Sequence, residues 1–219
     1  MNMMTENKKL IRNRYFEQSR QLKGNNRHTV RIIGGRWKRT PIMVIDAQGL
    51  RPTPERVRET LFNWLGHFWE SGFELLTCLD MFAGSGALGF EAASRGFKQI
   101  VMIEKNRLAW KSLQTIKEKL NATQIQICLG DAIGIIEKMF AQKEQFNLIC
   151  LDPPFHEHLL PMVLPRCEKL LKNQGMIYVE SDQAITENQL INWDVDNNLR
   201  IVREGRAGQV YYHLLEKQV

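Results

Sequence analysis

A chain of 219 residues that is 43% hydrophobic has the length for one sizeable domain with a real core. It offers no apolar run near the roughly 18 residues of a membrane span, its opening MNMMTENKKLIRNRYF holds no signal-peptide core, and four cysteines without a CxxC pair argue against a metal site and for buried free thiols in a reducing cytoplasm. The net charge of +6 is uneven: residues 1–58 carry 14 Lys and Arg against 4 Asp and Glu, the remainder 16 against 20, and a basic front on a mildly acidic body predicts a surface that meets a polyanion such as nucleic acid.

Residues 1–27 are polar and basic with little periodicity, which predicts a flexible tail. HTVRIIGGRWKRTPIMV then gives two short β-prone runs around Gly34-Gly35, the pattern of a hairpin. Its cations Arg31, Arg36, Lys38 and Arg39 surround Trp37, a ring free to stack on a base, although packing the hairpin onto the domain is the stronger expectation for it. RPTPERVRETLFNWLGHFW sets Val57, Leu61, Trp64, Leu65 and Phe68 at helical spacing, with Pro54 in the first turn and Thr53 as N-cap. Strands are predicted at Leu76–Asp80, Gln99–Glu104, Ile125–Leu129, Leu148–Asp152, Gly175–Glu180, Leu199–Arg203 and Val210–Glu216. Helices fall between them around Ala87–Arg95, Arg107–Leu120, Ala132–Ala141 and Leu159–Leu171. This alternation predicts an α/β fold, a mainly parallel sheet with helices on both faces. The Gly-rich link in IVREGRAGQVYYHL predicts a final hairpin and an antiparallel edge strand.

In an open α/β sheet, ligands bind outside the carboxyl ends of the strands. Here the first four ends are acidic: Asp80, Glu104, Asp131 (two residues past its apolar run) and Asp152. Carboxylates brought together repel unless a ligand or donor pairs them. After Asp80, DMFAGSGALGFEAASRG places Gly84, Gly86 and Gly89 in GxGxxG spacing, which by itself fits an NAD(P) site or close helix–strand packing equally well. Glu104 suits ribose hydroxyls in either case, whereas Asp131 with the N–H of Ala132 suits the edge of an adenine ring. FNLICLDPPFHEHL ends the fourth strand, and its two prolines fix two φ angles directly after Asp152, holding that carboxylate stiffly.

RIIGGRWKRTPI, LRPTPERVRETLFNWL, LDMFAGSGALGFEAASRG and LDPPF, in that order, resemble the RsmD family of class I S-adenosylmethionine-dependent methyltransferases over roughly residues 28–216. The resemblance implies a Rossmann-like, seven-stranded, mostly parallel sheet with an antiparallel last strand, preceded by an N-terminal β-hairpin and helix. It divides the chain into the tail (1–27), an RNA-binding and cofactor-covering segment (28–72) and the methyltransferase domain (73–219). It implies S-adenosylmethionine as cofactor, with Asp80 and the loop Phe82, Ala83, Gly84, Ser85 and Gly86 on its methionine part. Glu104 beside Lys105 would take the ribose, Asp131 and Ala132 the adenine, and Thr53, Arg58 and Asp152 would be further neighbours. Asp152, Pro153, Pro154 and Phe155 match a (D/N/S)PP(Y/F/W) motif used on planar nitrogens, here the N2 of a guanine in 16S ribosomal RNA, conventionally numbered 966. Arg31, Arg36, Trp37, Lys38, Arg39 and Arg51 would contact that RNA, within an assembling 30S subunit, and the enzyme would be a cytoplasmic monomer. Phe155 departs from the family, where tyrosine is common; it keeps the stacking face and lacks the hydroxyl.

A guanine 2-amino group is a poor nucleophile because its lone pair is delocalised into the ring. Acceptors at its two N–H groups, the Asp152 carboxylate and the Pro153 carbonyl, favour the tetrahedral nitrogen that can attack. Phe155 offers a stacking face worth about 1–3 kcal/mol to a base flipped out of its helix. An N6-adenine or protein-glutamine methyltransferase is the nearest alternative, although the basic hairpin argues against a protein substrate and glutamine enzymes usually carry Asn where Asp152 stands. An NAD(P) oxidoreductase would account for the glycines but not for Asp131 or DPPF, and a non-catalytic RNA-binding assembly factor would not need all four acids. His156 and His158 are expected at the rim, and Glu180, at the fifth strand end, is given no role.

Overall fold

The computed structural model describes residues 29–44, 53–70, 72–193, 195 and 198–218. Arg51 and the segment 1–27 lie outside the described residues. Two three-residue strands, β1 (Thr29–Arg31) and β2 (Pro41–Met43), pair antiparallel with Thr29 opposite Met43. Gly34-Gly35 does not make the tight turn between them. The connection runs from Ile32 to Thr40 and is closed by Arg39 N–H to the Ile32 carbonyl (2.8 Å) and Ile32 N–H to the Thr40 carbonyl (3.0 Å). The glycines instead let the loop lie on a helix end: a Cβ at Gly35, where φ is +73°, would stand 1.9 Å from the Ser94 carbonyl oxygen, a space only glycine can occupy.

The helix α1 (Glu55–Phe68) buries Val57, Arg58, Leu61, Phe62 and Leu65, a stripe at helical spacing with one arginine in it. Its N-cap is Pro54, not Thr53. There follow β3 (Thr77–Asp80), α2 (Ala87–Ser94), β4 (Gln99–Glu104), α3 (Arg107–Leu120), β5 (Ile125–Leu129), α4 (Ala132–Ala141), β6 (Phe146–Leu151), α5 (Leu160–Lys169), β7 (Leu171–Ser181), α6 (Glu187–Asn192), β8 (Leu199–Ala207) and β9 (Val210–Lys217). β7 starts four residues before the predicted Gly175 because Leu171 pairs with Phe146 and the polar run after it is accommodated as an irregularity before Met176 pairs with Leu148. The short α6 was not expected, although TENQ carries its signal. Thr186 accepts from Gln189 N–H, and the Gln189 side chain accepts from Thr186 N–H, in a capping box.

The strands are ordered β5-β4-β3-β6-β7-β9-β8. The first five are parallel, and β9 is antiparallel to both its neighbours. The last hairpin therefore forms as predicted, but its antiparallel member is not the edge. β9 inserts between β7 and β8, and the edge strand β8 runs with the parallel set. Burial accounts for this choice. Leu214 and Leu215 of β9 are both 0% exposed and point to opposite faces, so that strand needs cover on both sides, whereas β8 is mostly half-exposed or exposed, as suits an edge.

Side-chain alternation splits the core in two. Leu148, Cys150 and Tyr178 pack with Trp37, Leu61, Phe62 and Phe90 on the face covered by the hairpin, α1 and α2. Ile149, Leu151 and Ile177 pack with Ile136, Val163 and Leu164 on the other. The strand order reverses at β3, between β4 and β6, and such a switch point opens a crevice at the carboxyl ends. Among the described residues no helix is long and apolar enough to cross a membrane.

Candidate functional site

The parallel register brings three acids together. β6 pairs with β7 through Leu151 opposite Val179, so Asp152 and Glu180 lie side by side one step further on. Asp80 is opposite Cys150, two residues before Asp152 and therefore on the same face. That is the face beneath the N-terminal segment. The Thr53 hydroxyl, predicted as a helix cap, instead donates to Glu180 Oε1 at 2.6 Å, and the Tyr178 hydroxyl donates to the same oxygen at 2.9 Å. Glu180 is thus a member of the site to which the sequence reading gives no role, although it sits at an acidic strand end like the other four.

A cleft of about 690 Å³ opens here. Thr53, Asp80, Phe82, Ala83, Gly84, Ser85, Glu104, Lys105, Asp131, Ala132, Asp152, Pro153, Pro154 and Phe155 all line it; Gly86 and Arg58 stand outside the lining. The turn after β3 shows why. Gly84 N–H donates to Glu104 Oε2 at 2.7 Å, and Glu104 Oε1 accepts from Asn106 N–H at 2.6 Å. Asp80 Oδ2 accepts from Gly89 N–H at 3.0 Å. A Cβ at Gly86 would meet Leu113 at 2.6 Å and the Phe90 ring at 2.7 Å, and one at Gly89 would meet Met102 Sδ at 2.9 Å. The second and third glycines therefore serve close packing of α2 against its neighbours, and the first borders the cleft.

Asp131 caps α4, its Oδ1 accepting from Ile133 N–H (3.0 Å) and Gly134 N–H (3.2 Å). Phe155 begins a single 3₁₀ turn to Glu157, whose carboxylate pairs with Lys105 at 2.8 Å. His156 and His158 are exposed beside it, at the rim as expected. The tip of the last hairpin, Ala207 to Val210, forms the opposite wall.

Seven carboxyl groups line this cleft (Asp80, Glu104, Asp131, Asp152, Glu157, Glu180 and Asp182) against one lysine, Lys105. Burial pushes the Asp80 carboxyl up to about 7, with the Gly89 N–H opposing and Glu104 adding to the rise. Burial also raises Asp152 well above the usual carboxylate range, reinforced by Glu180 and Asp80. Glu180 is raised by burial and pulled back by the Thr53 and Tyr178 hydroxyls. Such a set binds protons or a cation more readily than an anion. Folding favours the protonated Asp80, so its contribution to stability is largest in acid and is lost as pH rises from 3.8 to about 7.

The covering segment is held by Glu91 of α2, which is 0% exposed. Its carboxylate accepts from Ile33 N–H (2.7 Å), Gly34 N–H (2.9 Å) and Arg95 Nε (2.8 Å), and stands 3.4 Å from an Arg58 guanidinium nitrogen. Arg58, fully buried, also donates to the carbonyls of Arg31 (3.0 Å) and Thr53 (3.1 Å). Arg58 therefore reaches the cleft through Thr53, which it positions. The Ser94 hydroxyl donates to the Gly34 carbonyl (2.6 Å) and accepts from Trp37 N–H (2.9 Å). Trp37 is 9% exposed within the core, which corrects its assignment as an RNA contact: the ring is used to dock the hairpin. Arg31, Arg36, Lys38 and Arg39 are exposed, as phosphate contacts must be, and Arg51 lies outside the described residues.

The family model described as "Conserved hypothetical protein 95" matches residues 30–216. "Ribosomal RNA small subunit methyltransferase D" of Escherichia coli (strain K12) is 39% identical over 192 residues, 86% of this chain and 90% of the relative. The protein of the same name in Haemophilus influenzae is 35% identical over 198 residues, 88% of this chain and 96% of the relative. A solved Escherichia coli structure, "Putative methyltransferase yhhF", superposes with a TM-score of 0.73 at 35% identity, covering 87% of this chain and 99% of that one.

Proposed function

The chain belongs to the RsmD family of methyltransferases, and from that premise we propose that it transfers a methyl group from S-adenosylmethionine to N2 of a guanine in 16S ribosomal RNA, at position 966. The observation that carries this is the acid-lined cleft at the strand switch point. A sulfonium and an ammonium group are the cations that seven carboxyl groups and a single paired lysine lack. The pyrophosphate of NAD(P) would be repelled there, and the Gly84 N–H it would need is engaged by Glu104. Asp80 and the Phe82–Ser85 turn fit the methionine part, Glu104 the ribose hydroxyls, and Asp131 with Ala132 the adenine. When bound, the cofactor supplies an electrophilic methyl group.

The chain's own residues then hold the acceptor. Asp152 and the Pro153 carbonyl accept from the two amino hydrogens and turn the nitrogen lone pair toward the cofactor side, and Phe155 offers its face to the base. Most of the acceleration comes from this alignment. The exposed cations of the hairpin hold phosphates of RNA within the assembling 30S subunit, where the enzyme acts as a monomer in the cytoplasm. The test is to incubate the protein with labelled S-adenosylmethionine and unmodified small subunits, naked 16S RNA, DNA or a protein acceptor, and to map the modified nucleoside. N2-methylguanine at one site supports the proposal; label in adenine or in protein overturns it.

Two further results are expected. Because a cationic cofactor pairs best with ionised Asp80, whose carboxyl is pushed up to about 7, its affinity should rise about tenfold between pH 6 and pH 8, with proton uptake by the buffer on binding. Calorimetry in buffers of different ionisation enthalpy measures both, and a flat profile would detach Asp80 from the positive charge. Replacing Arg36, Lys38 and Arg39 together by alanine should weaken RNA binding and lower the slope of log Kd against log salt by about 2, at roughly 0.7 for each phosphate no longer neutralised. An unchanged slope would move the phosphate-binding surface elsewhere.

A further inference from the structure

We propose that Glu180 selects guanine over adenine, its Oε2 accepting the N1–H beside the amino group that Asp152 holds. This rests on the guanine assignment above and deepens it. Glu180 lines the cleft and stands level with Asp152 on the adjacent strand, and neighbouring strands lie about 4.8 Å apart. From neighbouring strands each side chain can extend one oxygen toward the same edge of a base, so that two adjacent donors meet two different carboxylates. Guanine presents such an edge, N1–H next to N2–H₂, whereas adenine presents a lone pair at N1.

The protein fixes which Glu180 oxygen is used. Thr53 and Tyr178 both direct their hydroxyls at Oε1, and among the described residues these are the donors to its carboxylate. Oε2 is left for a group in the cleft. Two hydroxyl donors favour the ionised form, which can only accept, against the net rise that burial imposes on this group, and a guanine N1–H at Oε2 adds a third donor in the same direction. An ionised Glu180 facing adenine N1 would set acceptor against acceptor, which is a rejection rather than a weaker attraction. Thr53 comes from the covering segment, so the segment that carries the exposed cations also supplies one of the donors to the base-reading acid.

The test uses small subunits reconstituted with 16S RNA carrying either guanine or 2-aminopurine at the target. The analogue keeps the 2-amino group and has a lone pair at N1. Wild type should favour guanine by at least tenfold, the order of one good base-edge contact. In Glu180→Gln the two hydroxyls hold the amide oxygen at the Oε1 position, so the amide N–H₂ takes the place of Oε2. The guanine rate should fall by a similar factor, the guanine to 2-aminopurine ratio should collapse toward one or invert, and cofactor affinity should be retained. Tyr178→Phe, which keeps the ring and removes one donor, should shift the ratio in the same direction by less, and it carries the test if Glu180→Gln does not fold. A ratio unchanged from wild type in the folded variants overturns the proposal, as does loss of cofactor affinity in step with loss of transfer. Failure of wild type to form N2-methylguanine at all would instead strike the guanine assignment itself.

Discussion

Asp152→Ala is expected to slow methyl transfer by about 10²–10³-fold, the scale on which loss of one preorganised polar contact acts, while cofactor affinity changes far less. The side chain stands at the end of β6, next to two prolines that hold the chain after it. It lines the cleft beside Glu180, while the Gly84 N–H of the glycine turn is engaged by Glu104 and the Gly89 N–H of α2 by Asp80. Removing it takes away an acceptor from the reacting nitrogen and leaves the residues that contact the cofactor in place. Single-turnover transfer from labelled cofactor, read against a dissociation constant measured on the same variant, separates the two effects. Asp152→Asn retains one acceptor oxygen and should lose less. Near-normal turnover in the alanine variant would remove Asp152 from the chemistry.

Glu91→Ala should be the most damaging single change to stability, at about 3–5 kcal/mol, because it strands a buried charge. Arg58 would lose its carboxylate partner inside a fully buried site, with burial already working against its charged form. The N–H groups of Ile33 and Gly34 would lose their acceptor as well. Removing both members of a buried pair is often tolerated, but here Arg58→Met combined with Glu91→Leu should not recover the loss, since the two backbone donors remain unpaired. Thermal unfolding should show a fall of about 10 °C for Glu91→Ala, and a shift near zero would mean the segment is held by its apolar contacts alone.

What can be read from the amino acids is what local pattern encodes. Asp80, Glu104 and Asp152 end apolar runs of strand length, so their position at one edge of the sheet follows from counting. The sheet order does not, because nothing local in IVREGRAGQVYYHL says that its second strand slips between its first and β7. Thr53 resembles a cap because Pro54 and Glu55 follow it; its real partner is 127 residues away, beyond any local rule. Gly34-Gly35 resembles a turn for the same reason, and only the Ser94 carbonyl explains it. Arg58 falls on the buried stripe of α1, where a charge is out of place unless paired. That mismatch is visible in the sequence, and it points to a buried partner, though not to Glu91.

The buried ion pair also has a consequence for how the protein is made. Synthesis proceeds from the N-terminus, and domains fold as their parts become available. The hairpin and α1 are made before the sheet and helices they dock on: Arg58 waits 33 residues for Glu91, and Thr53 waits 127 for Glu180. This early part of the fold is therefore completed only once those partners have been made, and until Glu91 emerges it is a basic peptide without its buried ion pair.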